Sequence, residues 1–386
     1  MIDPQRVIDD TVALVRIDSQ NPGVQEAACA DWVERRLRAS GLDTVRREVE
    51  PGRDNVLATV PGAGTGPRFV LVAHLDTVPV GDGWSLPPLD GVIRAGKLYG
   101  RGACDMKGGL ALAINLVASL AEQGITPPGE VVLAATVDEE APGMLGIHEL
   151  VAAGVVGRDD QVLALEPSAM RLRIAQMGLR WLTLTVHGRN AHAGRAHLGI
   201  DANHVTARII DRLKQVVADL PHEDPLLGRA RFTCGVLEGG VATNVVPSRT
   251  RAMFDVRLVP PMTIASTVEL VHEVAREVVA QFPGARYELE GLGAPRPPVR
   301  AADDAHVVRT LEAAYADVTG TQVERGGGDG HEAYTDASMV AALTGSTSAT
   351  VFGPGSSDLA HSPDEYVPIA DLELGAQVLD RMVARW

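Results

Sequence analysis

The chain has 386 residues, room for two or three domains at about 150 residues each, and its 45% hydrophobic and 22% charged residues exclude disorder as its main state. Its 35 basic and 50 acidic residues leave a net charge of −15, which repels nucleic-acid phosphates and anionic membranes, and no basic run offsets it. Three scattered cysteines (Cys29, Cys104, Cys234) without a CxxC exclude a disulfide scaffold or a cysteine-zinc site and fit a reducing compartment.

The opening MIDPQRVIDD has neither a basic leader nor an apolar signal core, so a cytoplasmic location is expected. Asp3-Pro4 is a helix start, and Val7, Ile8, Val12 and Val15 recur at helical spacing behind it. A second amphipathic helix is predicted over 26–40, stopped by Gly41. Short apolar runs follow at 55–60, 69–73, 130–137 and 161–165, most of them without alternation. Strands buried on both faces look like this, so the first half predicts a mainly parallel, helix-covered sheet. The longest apolar stretch, 110–121, is broken by Asn115 and Ser119 and falls short of the ~20 residues of a membrane span.

From about Gly178, Leu182, Leu184 and Val186 alternate with Thr183, Thr185 and His187, as in a sheet with one buried face. A helix over 201–219, strands over 231–237 and 249–258, a helix over 263–281 and a strand over 287–290 complete a β-α-β-β-α-β order, that of a ferredoxin-like module. The proline-rich 291–300 reads as the linker back to a helix–strand–helix remainder from Asp303. The expected fold is α/β, with a discontinuous catalytic domain (residues 1–177 and 292–386) and an inserted α+β domain (178–291).

Several common motifs fail. None of the His-Glu dipeptides at His148, His222, His272 and His331 has a second histidine three residues on, and there is no GxSxG elbow or phosphate loop. What stands out is polar residues at the ends of apolar strands: His74 and Asp76 after FVLVA, Glu139 and Glu140 after VVLAATVD, and Glu166 after QVLAL. Asp105 sits in GRGACDMKGG before a helix. Taken singly, each has a bland reading: a hydrogen-bonding His-x-Asp pair, solvated helix-start charge, a capping aspartate. Together they converge on the crevice at the carboxyl ends of an open sheet, where four or five carboxylates cannot all ionise without a cation. Carboxylates with imidazoles suit a pair of Zn²⁺ or related ions. Adjacent Glu139 and Glu140 diverge in direction, so they are not expected to share one role.

The segment VLVAHLDTVPVGDGWSLPPLDGVIRAGKLYGRGACDMKGGLA (70–111) resembles the signature of the M20 metallopeptidase family. That family holds acetylornithine deacetylases, succinyl-diaminopimelate desuccinylases, aminoacylases and bacterial glutamate carboxypeptidases. The resemblance continues through TVDEE (136–140), ALEPS (164–168), AHAGRAHLGIDA (191–202) and GPGSSDLAHSPDEYV (353–367), so it spans the chain. It implies two divalent ions, zinc first and Co²⁺ or Mn²⁺ as alternatives. His74 and Glu166 bind one, Glu140 and His361 the other, and Asp105 bridges both. Asp76 orients the His74 imidazole. Glu139 is the general base that takes a proton from a metal-bridging water and returns it to the leaving amine. The Asp105–Met106 peptide is expected to be cis. The inserted domain resembles the family's dimerisation or lid domain, making a homodimer the expected state. In it His192 stabilises the oxyanion, in relatives within the partner's site, and Asn244 and Arg257 grip the substrate's carboxylate. Capping of a turn by His192 and a plain Asp255–Arg257 surface pair are the other readings.

RGGGDGHEAYTDAS (325–338) is longer and more polar than the family's short glycine–Ser/Thr–Asp segment, to which Thr335-Asp336 corresponds; His331 is read as loop rather than pocket lining. The function expected is a metal-dependent amidohydrolase that cleaves a small N-acyl amino acid bearing a free carboxylate. A dipeptidase or carboxypeptidase of the same family is the alternative. A metal-binding protein without catalysis is the alternative from another class, opposed by the intact Glu139 and all five ligands.

Overall fold

The computed structural model describes residues 1–326 and 334–386. The chain forms two compact units, Met1–Gln176 with Val299–Trp386, and Met177–Pro298.

The first unit is built on a six-stranded sheet in the order Thr44–Glu50, Arg53–Val60, Val131–Thr136, Phe69–His74, Gln161–Ala164, Ala349–Val351. The last three pairings in that order are parallel and the first two antiparallel. Phe69–His74, Val131–Thr136 and Gln161–Ala164 are buried at every position, as their unbroken apolar runs require. The edge strand Thr44–Glu50 (TVRREVE) is half-exposed, and its charged residues hid it from the hydrophobic pattern. Pro4–Val15 begins as expected, with the Asp3 carboxylate accepting the Gln5 N–H at 2.9 Å and Pro4 in the first turn. Ala27–Ala39 ends at Ser40, and Gly41 follows at φ +83°.

Gly108–Glu122 is the central helix. With the turn before it, Ala103–Glu122 is long and apolar enough to cross a membrane, but 94% of its most apolar 18-residue window is buried within the protein's own core. Gly109 makes its position possible: a Cβ there would lie 2.0 Å from the Leu165 carbonyl, so only glycine lets the helix approach the end of Gln161–Ala164 so closely.

At the far end of the chain Trp386, 6% exposed, stacks on Phe69 at 4.2 Å and donates its indole N–H to the Pro67 carbonyl at 2.7 Å. Trp386→Phe keeps the stack but strands that carbonyl. It is expected to cost about 1–2 kcal/mol in urea unfolding.

The second unit follows the expected β-α-β-β-α-β succession, with sheet order Arg231–Gly239, Arg249–Leu258, Gly178–His187, Arg286–Arg296, all antiparallel. Leu182, Leu184, Val186, Phe254 and Val256 meet Val205, Ile209 and Leu213 of Ala202–Ala218 and Val271, Val274 and Val278 of Ile264–Val279. The last strand runs to Arg296, not to 290, so most of the expected 291–300 linker is strand and the first unit resumes at Val299 rather than 292. Pro295 is tolerated because this strand is the sheet's edge, where a missing N–H breaks no ladder. Within the first unit, the chain leaves and returns through an antiparallel pair in which Gln176 faces Val299 and Ala175 faces Arg300.

Candidate functional site

Parallel pairing puts the carboxyl ends of the inner strands on one side of the first unit's sheet, and the candidate residues follow from that. His74 closes Phe69–His74, opposite Thr136 at the end of Val131–Thr136, after which the chain turns through Asp138, Glu139 and Glu140. Glu166 lies just past Gln161–Ala164. Asp105 is presented by a tight turn, Ala103–Lys107, between Gly102 at φ +81° and the central helix, and its peptide bond to Met106 is cis. His361 comes from a C-terminal loop at φ +61°.

Two groups form. His74, Asp105 and Glu166 offer ligand atoms within 4.8 Å of one another, and so do Asp105, Glu140 and His361. Asp105 is common to both: its Oδ1 lies 3.1 Å from His74 Nε2 and its Oδ2 lies 3.4 Å from His361 Nε2. Glu166 Oε2 is 3.8 Å from His74 Nε2, and Glu140 Oε2 is 3.1 Å from His361 Nε2. Glu139, beside them in sequence, belongs to neither group.

The His74 tautomer follows from its other nitrogen. Nδ1 lies 2.9 Å from the Asp76 main-chain carbonyl, which can only accept, so Nδ1 carries a hydrogen. Nε2 then turns its lone pair toward two carboxylates, an arrangement that is repulsive unless a proton or a metal cation stands between them. The titration tendencies say the same. Burial would lower the His74 pKa, but the charge of Glu166 and the bond to Asp105 drive it well up. Bonds to Asp105 and then Glu140 push His361 up to about 11. Burial, reinforced by Asp105 and opposed by His361, pushes Glu140 up to about 7. Glu166 is also pushed to about 7, by burial against the pull of His74. Burial would raise Asp105, but its bonds from His361 and His74 hold it well below the usual range. Glu139 is pushed far up by burial and then by the charge of Glu166. The site therefore draws cations strongly, and nitrogen and oxygen donors in two groups sharing one carboxylate suit a pair of divalent ions.

Residues 70–385 match peptidase family M20/M25/M40. The chain belongs to this family. An acetylornithine deacetylase of Myxococcus xanthus is 32% identical over 92% of this chain and 91% of its own length. A succinyl-diaminopimelate desuccinylase of Rhodospirillum centenum is 32% identical over 78% of this chain and 83% of its own. A tripeptidase from Staphylococcus aureus subsp. aureus Mu50 superimposes with a TM-score of 0.82 at 25% identity, over 100% of both chains.

In this M20 protein Asp76 orients His74 through its main chain rather than its side chain. Its carboxylate oxygen is 3.7 Å from His74 Nδ1, beyond hydrogen-bond range, so the imidazole is held by the main-chain carbonyl instead. The carboxylate accepts the backbone N–H groups of Glu139 and Glu140, each at 3.2 Å. Burial raises its pKa.

His192, Asn244 and Arg257 belong to the second unit. His192 is exposed and caps the Ala193–Leu198 turn, its Nδ1 accepting the Gly194 N–H at 3.0 Å. The exposed Asn244 accepts the Ala193 N–H on its carbonyl at 2.9 Å. Arg257 forms a bidentate pair with Asp255 (2.7 and 2.9 Å), whose Oδ2 also accepts the Trp181 indole N–H at 2.9 Å. Residues 327–332, with His331, lie outside the described residues.

Other buried residues stand around the M20 site: Asp336 entered the sequence reading only as a family counterpart with no role, and Arg101 and Glu365 escaped it. Asp336, 2% exposed, accepts the Thr136 hydroxyl at 2.6 Å and reinforces the negative field on Glu139 and Glu166. Arg101 pairs with Glu365, whose Oε1 accepts the N–H of Cys104 (2.9 Å) and of Asp105 (3.1 Å). Both stand inside segments that carry the family resemblance, and the only signal was an arginine in an otherwise glycine-rich, buried turn.

Proposed function

We propose that the protein hydrolyses the amide bond of a small N-acyl amino acid carrying a free carboxylate, with two divalent ions as cofactor. The observation that carries this is the pair of ligand groups sharing Asp105, with Glu139 outside both; similarity to a deacetylase and a desuccinylase supports the substrate class.

His74, Asp105 and Glu166 would hold one ion and Asp105, Glu140 and His361 the other, with zinc the proposed metal and Co²⁺ or Mn²⁺ its substitutes. Bound there, such ions make water acidic enough to ionise near neutrality and polarise a carbonyl. Glu139 takes the proton of the attacking water and delivers it to the departing amine nitrogen. Asp76 holds the N–H groups of Glu139 and Glu140, so the base and its neighbour keep separate directions. In the second unit, proposed as a dimerisation and lid domain, His192 donates to the developing oxyanion. Arg257, its plane fixed by Asp255, grips the substrate carboxylate together with Asn244. The proposed setting is a cytoplasmic homodimer.

The second reading is a peptidase, favoured by the full-length likeness to the tripeptidase. Primary-amine release from N-acetyl and N-succinyl amino acids beside plain dipeptides, with added Zn²⁺ or Co²⁺, separates the two. Release from the N-acyl substrates, abolished by a chelator and restored by metal, is expected. Release confined to dipeptides establishes the second reading, and silence across the metal-loaded panel overturns both.

A further inference from the structure

Behind the Glu139–Glu140 turn lies a set of buried side chains that takes no part in the proposed chemistry. Arg53 is 6% exposed and Glu26 is fully buried. Arg53 donates from Nε to Glu26 Oε2 at 2.9 Å, from Nη2 to Glu26 Oε1 at 2.5 Å, and from the same Nη2 to Asp138 Oδ1 at 2.7 Å. Asp138 is 4% exposed and adopts φ +66°, a left-handed conformation that costs a residue with a Cβ some strain. It is held there from every side. Its N–H donates to Glu26 Oε1 at 3.2 Å, and its Oδ2 accepts the Leu145 N–H at 3.3 Å.

Asn21, 6% exposed, joins this network to the site. Its Nδ2 donates to Asp138 Oδ1 and to Asp76 Oδ2, each at 3.0 Å. One amide nitrogen therefore bridges two buried carboxylates that would otherwise repel each other. Asp76 in turn holds the N–H groups of Glu139 and Glu140. Three consecutive residues, 138 by its side chain and backbone, 139 and 140 by their backbones, are thus fixed from one side, and neither Arg53, Glu26 nor Asn21 belongs to a ligand group.

We propose that Asn21 and Arg53 are positioning residues that set the direction of Glu139 and Glu140, acting on the Asp105–Glu140–His361 group and leaving the His74–Asp105–Glu166 group largely alone. The asymmetry follows from how the two groups are anchored. His74 is the end of a fully buried strand paired with Thr136, and Glu166 follows another such strand, so sheet pairing fixes both backbones, and the His74 ring is held by the Asp76 main-chain carbonyl rather than by the carboxylate that Asn21 reaches. Glu139 and Glu140 sit in a turn, fixed by the network instead. The kinetic part of this inference rests on the proposed function; the metal-binding part does not.

The test uses the full chain with Asn21→Leu and, separately, Arg53→Lys, which keeps the charge but not the fork that reaches Glu26 and Asp138 together. Metal-free protein is titrated with Co²⁺, followed by calorimetry and visible absorption, and amine release is measured beside it. For Asn21→Leu the first Co²⁺ is expected to bind within threefold of the parent affinity and the second at least tenfold more weakly. The kcat should fall at least tenfold with KM within threefold, and Arg53→Lys should lie between. Equal weakening of both Co²⁺ events, or no change in either, in protein that melts cooperatively overturns the proposal. Should Asn21→Leu fail to fold, Asn21→Ser, which keeps one donor, is read by the same titration. If the parent releases amine from no substrate, the proposed function falls and the cobalt titration still decides the positioning role.

Discussion

Glu139→Gln is expected to lower kcat for amine release by about 10²–10⁴-fold, with KM little changed and two equivalents of Zn²⁺ or Co²⁺ still bound. The expectation comes from the contrast between two adjacent glutamates. Glu140 lies 3.1 Å from His361 within a ligand group, whereas Glu139 stands outside both groups. Burial, with Glu166, Glu140 and Asp336 adding to it against His74, drives the Glu139 carboxyl well above its ordinary range. A carboxyl so placed holds its proton readily once it has taken one, and the positive charge of bound metal would bring it back toward the working pH, where a base is most effective. Glutamine keeps the shape and a hydrogen bond but cannot accept that proton. Steady-state kinetics beside metal analysis checks the assignment: activity above a tenth of the parent removes Glu139 as base, and loss of one metal equivalent makes it a ligand.

Arg101→Met is expected to destabilise the first unit by about 3–5 kcal/mol, because it leaves a buried carboxylate without its cation. Arg101 is 2% exposed and Glu365 is 1% exposed. The guanidinium also donates from Nη2 to the Val80 carbonyl at 3.1 Å. Burial and the neighbouring charge of Asp105 already push Glu365 up to about 7 against the pull of Arg101, so removing the arginine pushes it further. In thermal unfolding the effect should be a fall on the order of 10 °C. Arg101→Met combined with Glu365→Gln should recover much of it, since a neutral amide needs no counter-charge. A single variant that melts within 2 °C of the parent would show the pair to be dispensable. The consequence reaches the site, because Glu365 accepts the N–H of Asp105.

Most of the candidate site could be proposed from short local contexts, whereas His361 entered only through the family resemblance. His74, Glu139, Glu140 and Glu166 each follow an apolar strand, and a parallel sheet gathers the ends of such strands whatever the sequence between them. The buried network was not legible. Arg53 sits between a glycine and an aspartate, outside any motif, and its partner Glu26 is 27 positions away. Nor does alternation distinguish what Arg257 grips. It places Arg257 beside Asp255, where the structure joins the two, and leaves a role toward substrate to be argued separately. In the fold, charge hid the edge strand Thr44–Glu50 and prolines hid the end of Arg286–Arg296, two edge strands free of the constraints that make a central strand readable.

The antiparallel pair Ala175–Gln176 and Val299–Arg300 has a consequence for the order of folding. Geometrically it is a hairpin, and residues 177–298 occupy the place of its turn. Closing so long a loop as flexible chain would cost roughly five doublings of a tight turn, about 3 kcal/mol of entropy. A folded insert removes most of that cost, because its own ends are already neighbours: Leu179 is the register partner of Arg296. An insert that forms early would therefore deliver Val299 to Gln176 and let the first unit complete itself as though its two segments had never been separated.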